Sequence, residues 1–193
     1  KTGLSFLNPL LISIVLVIIF LSLSGMSYET YAKGSYSISF LLTPATICLA
    51  VPLYEQFKLL KKHWKAVMAG IISGVVSSLV CIWLLAQMFH FDHQTYVTFL
   101  PKSITTAIGM DVAAELGGYV PLAVVVIVIT GVLGNVIAEG VLKLFQIEEP
   151  IAKGIAIGSS SHAVGTAKAM EIGPVEGAMS SLSIVVCGLL TVI

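Results

Sequence analysis

Apolar runs separated by short polar stretches make up most of the chain, and their lengths are typical of membrane helices. About 20 apolar residues cross a bilayer as a helix. Five runs indicate such spans: residues 8–26, 38–53, 66–88, 120–145, and a last run from Gly177 to the end of the sequence. Two further segments, 100–118 and 151–173, are less apolar and rich in small and hydroxyl residues. The pattern predicts an all-α, polytopic transmembrane protein with broken or re-entrant helices.

Composition leads to the same class of protein. Of the 193 residues, 57% are hydrophobic and only 10% are charged, and the mean hydropathy is +1.02. A soluble domain carries about 25% charged residues, so we expect an integral, multi-pass protein of the cell membrane. All ten basic residues are lysines and the net charge is zero. This argues against a nucleic-acid partner, which requires a clustered basic face.

No cofactor and no metal are expected. Cys48, Cys81 and Cys187 are odd in number, widely spaced and placed in apolar runs, which fits neither a disulfide framework nor a zinc site. The His90–His93 segment combines His and Asp but lacks a third ligand nearby. The sequence begins without Met and stops inside an apolar run, so we expect both ends to be trimmed.

The lysines predict an orientation, because short cytoplasmic loops are enriched in positive charge. Four of them lie in the loop 55–65, which we expect to be cytoplasmic. Two crossings later, Lys143 and Lys153 fall on the same side. The loops 26–36 and 90–99, with few lysines, are then expected to face outward.

The two polar segments resemble each other at an offset of about 56 residues. Gly109 aligns with Gly165, Glu115 with Glu171, and Gly117 with Gly173, and each segment is followed by an apolar span. One reading is an inverted repeat of two hairpin-plus-helix units, 100–145 and 151–193. N-terminal helices in 1–90 would precede these units, and all of them would belong to one domain over 1–193. The other is chance similarity in an apolar sequence of low complexity.

The stretch "GSSSHAVGTAKAMEIG", residues 158–173, is the main candidate site. Irregular backbone at membrane depth is tolerated only where protein or a water-filled cavity satisfies it. A hairpin there would line a cavity whose hydroxyls, backbone N–H groups and lysine could bind a carboxylate. The candidate binding residues are His162, Ser159, Ser160, Ser161, Gly165, Thr166, Lys168, Ser103, Thr105, Thr106, Pro44 and Thr46.

Several of these residues have a structural alternative. His162 could bind the anion or carry a proton, or it could be a structural histidine bonded to a neighbouring serine. Lys168 could supply the compensating charge or be an interfacial lysine. Glu171 could pair with it or equally cap the end of the block near Gly173. Glu171, Asp111 and Glu115 are candidates for proton or cation coupling, although a solvated face explains the last two equally well. Lys102 stands at the mouth of the first segment. Asn135 and Glu139, one turn apart in the fourth span, either line the pathway or lie at the headgroups.

Three blocks carry a resemblance to a known family. "LLTPATICLAVPLYEQ", "LPKSITTAIGM" and "SHAVGTAKAMEIGPVEGAMSSL" resemble the signature blocks of the LrgB/CidB family of antiholin-like bacterial membrane proteins, which has relatives in plastids. The resemblance covers nearly the whole chain and implies the bacterial plasma membrane as the location. It implies one of two functions. Some members move small monocarboxylates such as pyruvate, glycolate and glycerate; others are tied to murein hydrolase export, autolysis and cell death, commonly beside a smaller holin-like LrgA/CidA partner.

Two function classes therefore remain open. The first is a secondary transporter or facilitator of small monocarboxylates, expected to be a homodimer. The second is an antiholin-like regulator that acts through its holin-like partner without transporting anything. An intramembrane hydrolase built on Ser161 and His162 is not expected, because adjacent residues rarely place nucleophile and base within hydrogen-bond reach.

Overall fold

A computed structural model describes residues 9–41, 44, 47, 48 and 50–192. These residues form helices and no strand, which confirms the predicted all-α class. The chain divides into two compact units, residues 1–51 and residues 52–193.

The first unit contains helices α1 (Pro9–Ser24), α2 (Tyr28–Gly34) and α3 (Tyr36–Phe40). α1 has 16 residues, which corresponds to about 24 Å at 1.5 Å per residue, shorter than a hydrocarbon core of about 30 Å. Within the residues that the structure describes, the predicted span 8–26 is therefore a short apolar helix. The predicted loop 26–36 is wrong, because α2 forms there and Ser27 caps it by accepting a hydrogen bond from the Thr30 N–H (3.3 Å).

The predicted span 38–53 falls partly on residues outside the described part of the chain. Its two ends coincide with α3 and with helix α4 (Ala50–Glu55). Pro44 is helical and exposed. Thr46, also a candidate site residue, lies outside the described residues.

The second unit contains α5 (Phe57–Met88), α6 (His93–Phe99), a 3-10 turn (Leu100–Ser103), α7 (Thr106–Glu115), α8 (Val120–Leu144), α9 (Pro150–Ile172) and α10 (Pro174–Val192). Among the described helices, α5, α8 and α10 are the three long and apolar enough to cross a membrane. They match the predicted spans 66–88, 120–145 and 177 onward.

Two segments expected to be loops are helical instead. Residues 57–65 form the start of α5, which is interrupted by non-helical backbone at His63 (φ −113°, ψ 17°). Residues 93–99 form α6, and the Asp92 carboxylate caps it by accepting a hydrogen bond from the Thr95 N–H (3.2 Å). Hydrogen bonds from Thr95 lower the pKa of Asp92. Lysines and other polar residues are adequate helix formers outside the bilayer. The polarity of these two segments therefore did not show where the helices begin and end.

The core of the second unit is built around α9, which packs against α10, α8 and α5. Val67 and Ile71 of α5, Ile155 of α9 and Met179 of α10 are all buried in one apolar cluster. The polar segment 151–173 thus packs against the three apolar helices, which is where an irregular membrane segment can be stabilised.

α9 is broken in the middle. His162 has φ 42° and ψ −142°, a conformation that favours glycine. The break divides α9 into a first arm, residues 150–161, and a second arm, residues 163–172. Gly158 of the first arm and Thr166 of the second arm both contact Ser180 of α10.

The two arms fold back on each other as a hairpin. Gly165 of the second arm lies so close to the first arm that a Cβ there would be 3.1 Å from Ile157 Cγ2. Lys153, near the start of α9, and Ile172, at its end, line the same open cavity at the end of α8. α9 therefore enters and leaves at one end of α8, in agreement with the predicted re-entrant segment.

The first polar segment has a similar break. The 3-10 turn ends at Ser103, and Ile104 and Thr105 are extended (ψ 176° and 147°) before α7 begins. The Tyr119 N–H donates to Thr98 Oγ1 (2.8 Å), so the chain returns close to where the segment began. When the two segments are aligned at the offset of 56 residues, His162 corresponds to Thr106. The break in the first segment, at Ile104 and Thr105, therefore lies within two residues of the break in the second. The inverted repeat itself stays a prediction.

Candidate functional site

The two broken segments meet at a small, partly enclosed cavity, which we call the hydroxyl cavity. Its polar lining consists of Ser78 from α5, Ser103 from the 3-10 turn, Ser159 from the first arm of α9, and Thr191 from α10. The apolar lining is Val75, Leu79, Leu100, Ile104 and Cys187. About 10 Å³ is open to water-sized spheres, which is room for roughly one water molecule. The cavity is therefore closed to a small organic acid in this conformation.

Lys102 is the cation beside the hydroxyl cavity. Its Nζ donates a hydrogen bond to Ser103 Oγ (2.8 Å), and Ser103 Oγ lies 3.4 Å from Ser78 Oγ. Lys102 is half-buried. Of the carboxylates in the described part of the chain, none lies within 4.0 Å of this ammonium group. The site therefore has an ammonium group, without a carboxylate counter-ion among the described residues, that is available for an anion.

The three consecutive serines of α9 have different surroundings. Ser159 is buried, lines the cavity and donates to Ile155 O (2.7 Å). Ser160 is exposed and donates to Ala156 O (2.7 Å). Ser161 is buried and lies so close to α8 that only a glycine, Gly134, fits opposite it. Only Ser159 of the predicted trio therefore lines the cavity.

His162 is held by α8. Its side chain is buried, and its Nε2 lies 3.0 Å from Ile127 O; a neutral imidazole makes this bond when Nε2 carries the proton. The ring packs on Gly131, where a Cβ would be 2.7 Å from Nε2. The structure thus gives His162 a backbone carbonyl as partner rather than a neighbouring serine. His162 is not one of the described residues that line the hydroxyl cavity.

This contact fixes the break in α9. A non-glycine residue in such a backbone conformation costs about 1–3 kcal/mol. The Nε2 bond to Ile127 O offsets part of that cost, and Asn135 Nδ2 donates to Val164 O (2.8 Å), satisfying a carbonyl just beyond the break. α8 therefore supplies the polar groups that keep the hairpin broken at this residue.

The second arm is tied to both of its neighbours. Thr166 Oγ1 donates to His162 O (3.0 Å) and lies 2.7 Å from Ser180 Oγ of α10. Lys168 Nζ lies 2.7 Å from Glu139 Oε1 of α8 and 3.1 Å from Glu171 Oε2. The pairing of Lys168 with Glu171 agrees with the helical spacing. Because two carboxylates compensate Lys168, its charge is already balanced in this conformation.

None of the remaining predicted site residues of the second unit lines the cavity. Thr105 and Thr106 are half-buried at the start of α7, while Asp111, Glu115 and Glu171 are exposed. Pro44 belongs to the first unit. Sequence reasoning missed the two cavity hydroxyls that lie inside apolar spans, Ser78 and Thr191. It singled out Asn135 and Glu139 from their one-turn spacing without identifying their partners.

A larger open cavity, which we call the vestibule, lies at the end of α8. Its volume is about 470 Å³, and its lining is Glu139, Leu142, Lys143, Gln146, Ile147, Glu148, Lys153 and Ile172. Lys143 and Lys153 place two ammonium groups at this opening. Glu139 connects the vestibule to Lys168 of the hairpin.

Comparison with known proteins gives one family. The sequence model of the LrgB-like family matches residues 1–193. The antiholin-like protein LrgB of Bacillus subtilis (strain 168) is 39% identical over 191 residues, which cover 99% of this chain and 83% of the relative. No solved structure matches the chain.

Proposed function

Because this chain belongs to the LrgB-like family, we propose that it is a multi-pass carrier of small monocarboxylates, such as pyruvate, lactate or glycolate, in the cell membrane. One observation carries the proposal: the Lys102 ammonium group, without a carboxylate partner among the described residues, donates to a hydroxyl of the cavity where the two broken segments meet. We expect the carrier to work as a homodimer.

The chemistry of the cavity suits a carboxylate. An anion that leaves water must regain hydrogen bonds or lose several kcal/mol. The hydroxyls of Ser78, Ser103 and Ser159 can donate those bonds, and Lys102 balances the charge. Charge-assisted bonds are about twice as strong as neutral ones. The small and largely apolar walls favour a short acid with one charge over a dicarboxylate, which would bury a second charge.

Binding requires the cavity to widen. At about 10 Å³ it has room for one water molecule, so this conformation is a closed one. The break at His162 is the natural hinge, because backbone there is not held by continuous helical hydrogen bonds. In this proposal Lys102 and the serines contact the substrate, while His162 positions the hairpin.

Uptake of labelled acid into proteoliposomes tests the proposal. The intact chain should accumulate labelled pyruvate, lactate or glycolate above empty vesicles. Lys102→Gln should reduce uptake at sub-saturating substrate about tenfold or more, since 1.4 kcal/mol corresponds to tenfold. Lys58→Gln, which removes an exposed lysine that lines neither cavity, is the matched control and should retain most activity. Equal loss in both variants, or no uptake by the intact chain, would contradict the assignment.

The second candidate is an antiholin-like regulator, favoured by the description of the Bacillus relative. The resemblance to the LrgB/CidB family implies that such a regulator acts beside a smaller holin-like partner. Consider a bacterial host that depends on this chain to control autolysis. If the chain is a pure regulator, the Lys102→Gln variant should control autolysis as well as the intact chain does. A carrier whose transport underlies that control should lose both functions together.

A further inference from the structure

We propose that an open cavity at the kink of α5 binds the phosphate headgroup of an anionic phospholipid. Its lining is Lys61, Lys62, His63, Trp64, Lys65 and Ala66, and we call it the lysine cavity. The inference requires that the chain lies in a membrane, and it is independent of the transport activity proposed above.

α5 is longer than the hydrocarbon layer that it would cross. Its 32 residues correspond to about 48 Å at 1.5 Å per residue, whereas the hydrocarbon core is about 30 Å thick. The excess is about 12 residues, and the start of the helix, residues 57–65, contains four lysines. The lysine cavity should therefore lie at the level of the headgroups, beside the apolar run 66–88.

The lysine cavity lies where α5 is interrupted by non-helical backbone at His63 (φ −113°, ψ 17°). Its volume is about 430 Å³. The opposite face of this part of α5 is held by the core, because Leu60 packs against the apolar cluster that contains the buried Val67. Trp64 and the three lysines of the cavity are exposed. The core thus holds the helix on one side and leaves the ammonium groups free to meet a ligand on the other.

The charge of the lysine cavity is uncompensated within the described residues. Three lysines and no carboxylate are among the described residues that line it. No described carboxylate lies within 4.0 Å of Lys61, Lys62 or Lys65. The lining of the vestibule, in contrast, combines two lysines with two glutamates. The lysine cavity is therefore the better of these two open cavities for an anion.

Trp64 favours a lipid over a soluble anion as the occupant. Its side chain is 55% exposed, and Lys65 Nζ lies 5.9 Å from the centre of its ring, within the range of a cation–π contact. Tryptophan is enriched at the membrane–water interface, where its ring contacts apolar and polar parts of the lipid together. An exposed indole beside ammonium groups matches a ligand with an apolar tail and an anionic head.

Tryptophan fluorescence tests the site, because the chain has two tryptophans and both are in α5, Trp64 and Trp83. The variant Trp83→Phe leaves Trp64 as the reporter of the lysine cavity. It is reconstituted in mixed vesicles of phosphatidylcholine and phosphatidylglycerol, in which one lipid or the other carries bromine, a quencher, on its acyl chains. Quenching of Trp64 should show at least about fivefold preference for phosphatidylglycerol, which corresponds to one lysine at an anionic surface.

Removal of the three ammonium groups should abolish this preference. The variant combines Lys61→Gln, Lys62→Gln and Lys65→Gln with Trp83→Phe, and all three lysines are exposed, so the folded yield should be unchanged. The preference should also fall in about 1 M salt, where the Debye length is about 3 Å.

Two controls separate the site from a general effect of charge. Lys33→Gln, Lys143→Gln and Lys153→Gln together remove the same charge from residues that do not line the lysine cavity, and this variant should retain the preference. Trp64→Phe leaves Trp83 as the reporter, 19 residues further along α5 in a run without lysine. Trp83 should show little preference between the two lipids.

The lipid site is overturned if both tryptophans show the same preference, if the two triple variants lose it equally, or if it persists without the three lysines of the cavity. Inorganic phosphate, added at constant ionic strength, should leave the quenching by phosphatidylglycerol unchanged. Loss of the preference on adding phosphate would assign the lysine cavity to a soluble anion and overturn the lipid as its occupant.

Discussion

Thr166 Oγ1 and Ser180 Oγ lie 2.7 Å apart, and both side chains are fully buried. This bond joins the second arm of α9 to α10 at the level where Gly158 of the first arm also meets Ser180. The two arms and α10 therefore converge on one serine. Ser180 is the point where the hairpin is fastened to an apolar helix.

Thr166→Val should destabilise the protein by about 1–3 kcal/mol, because it leaves a buried hydroxyl and the His162 carbonyl without their partner. Ser180→Ala should cost less, since Thr166 keeps its bond to His162 O. The double variant should cost less than the sum of the two, because both changes remove one interaction. Thermal unfolding in detergent, followed for all four proteins, measures this coupling, and strict additivity would mean that the pair contributes nothing.

Gly131→Ala and Gly134→Ala should each destabilise the hairpin by about 1–3 kcal/mol through overpacking. A Cβ on Gly131 would be 2.6 Å from the His162 ring, and one on Gly134 would collide with Ser161. Gly140 is the control on the same helix, because nothing lies within 4 Å of its Cβ position.

Gly140→Ala should be neutral or stabilising by up to about 1 kcal/mol, as alanine is the better helix former. The measurement is again thermal unfolding, with folded yield after size exclusion as a second readout. Similar losses at all three glycines would contradict the close packing of α9 on α8.

His162→Gly and His162→Ala should differ, although both delete the imidazole. Glycine adopts a φ of 42° without strain, whereas alanine keeps the cost of about 1–3 kcal/mol and loses the bond to Ile127 O that offsets it. His162→Gly should therefore be the more stable variant. A more stable alanine variant would show that α9 is not broken at this residue.

Cysteine accessibility should place both ends of each polar segment on one side of the membrane. The background for this experiment replaces Cys48, Cys81 and Cys187 by alanine. In it, Glu148→Cys and Pro174→Cys should label from the same side of the membrane. His93→Cys and Tyr119→Cys should both label from the other side. All four positions are exposed. From the lysine distribution we expect the first pair on the cytoplasmic side. Labelling of Glu148→Cys and Pro174→Cys from opposite sides would rule out a re-entrant α9.

The apolar lengths of the sequence were enough to locate α5, α8 and α10, because burial in lipid requires long uninterrupted runs. The polarity around His162 likewise indicated that α9 is irregular, since such residues are costly in a membrane without protein partners. The sequence could not show the partner of Lys168 on α8, because Glu139 is 29 positions away. Only the fold shows that carboxylates compensate Lys168, whereas Lys102 has no such partner among the residues that the structure describes. Ser78 was hidden for a similar reason, because a serine within an apolar helix gives no sign of which neighbour it faces.

The shared contact at Ser180 also constrains how the protein is made. α9 leaves the ribosome before α10, yet the serines and open backbone of its hairpin are enclosed only when α10 packs against Gly158 and Thr166. Until then the hairpin has only two of its walls, α5 and α8, and the polar groups that face α10 still need water. α9 should therefore remain at an aqueous site of the insertion machinery and enter the bilayer together with α10, so that these two helices are inserted as one unit although the hairpin is earlier in the chain.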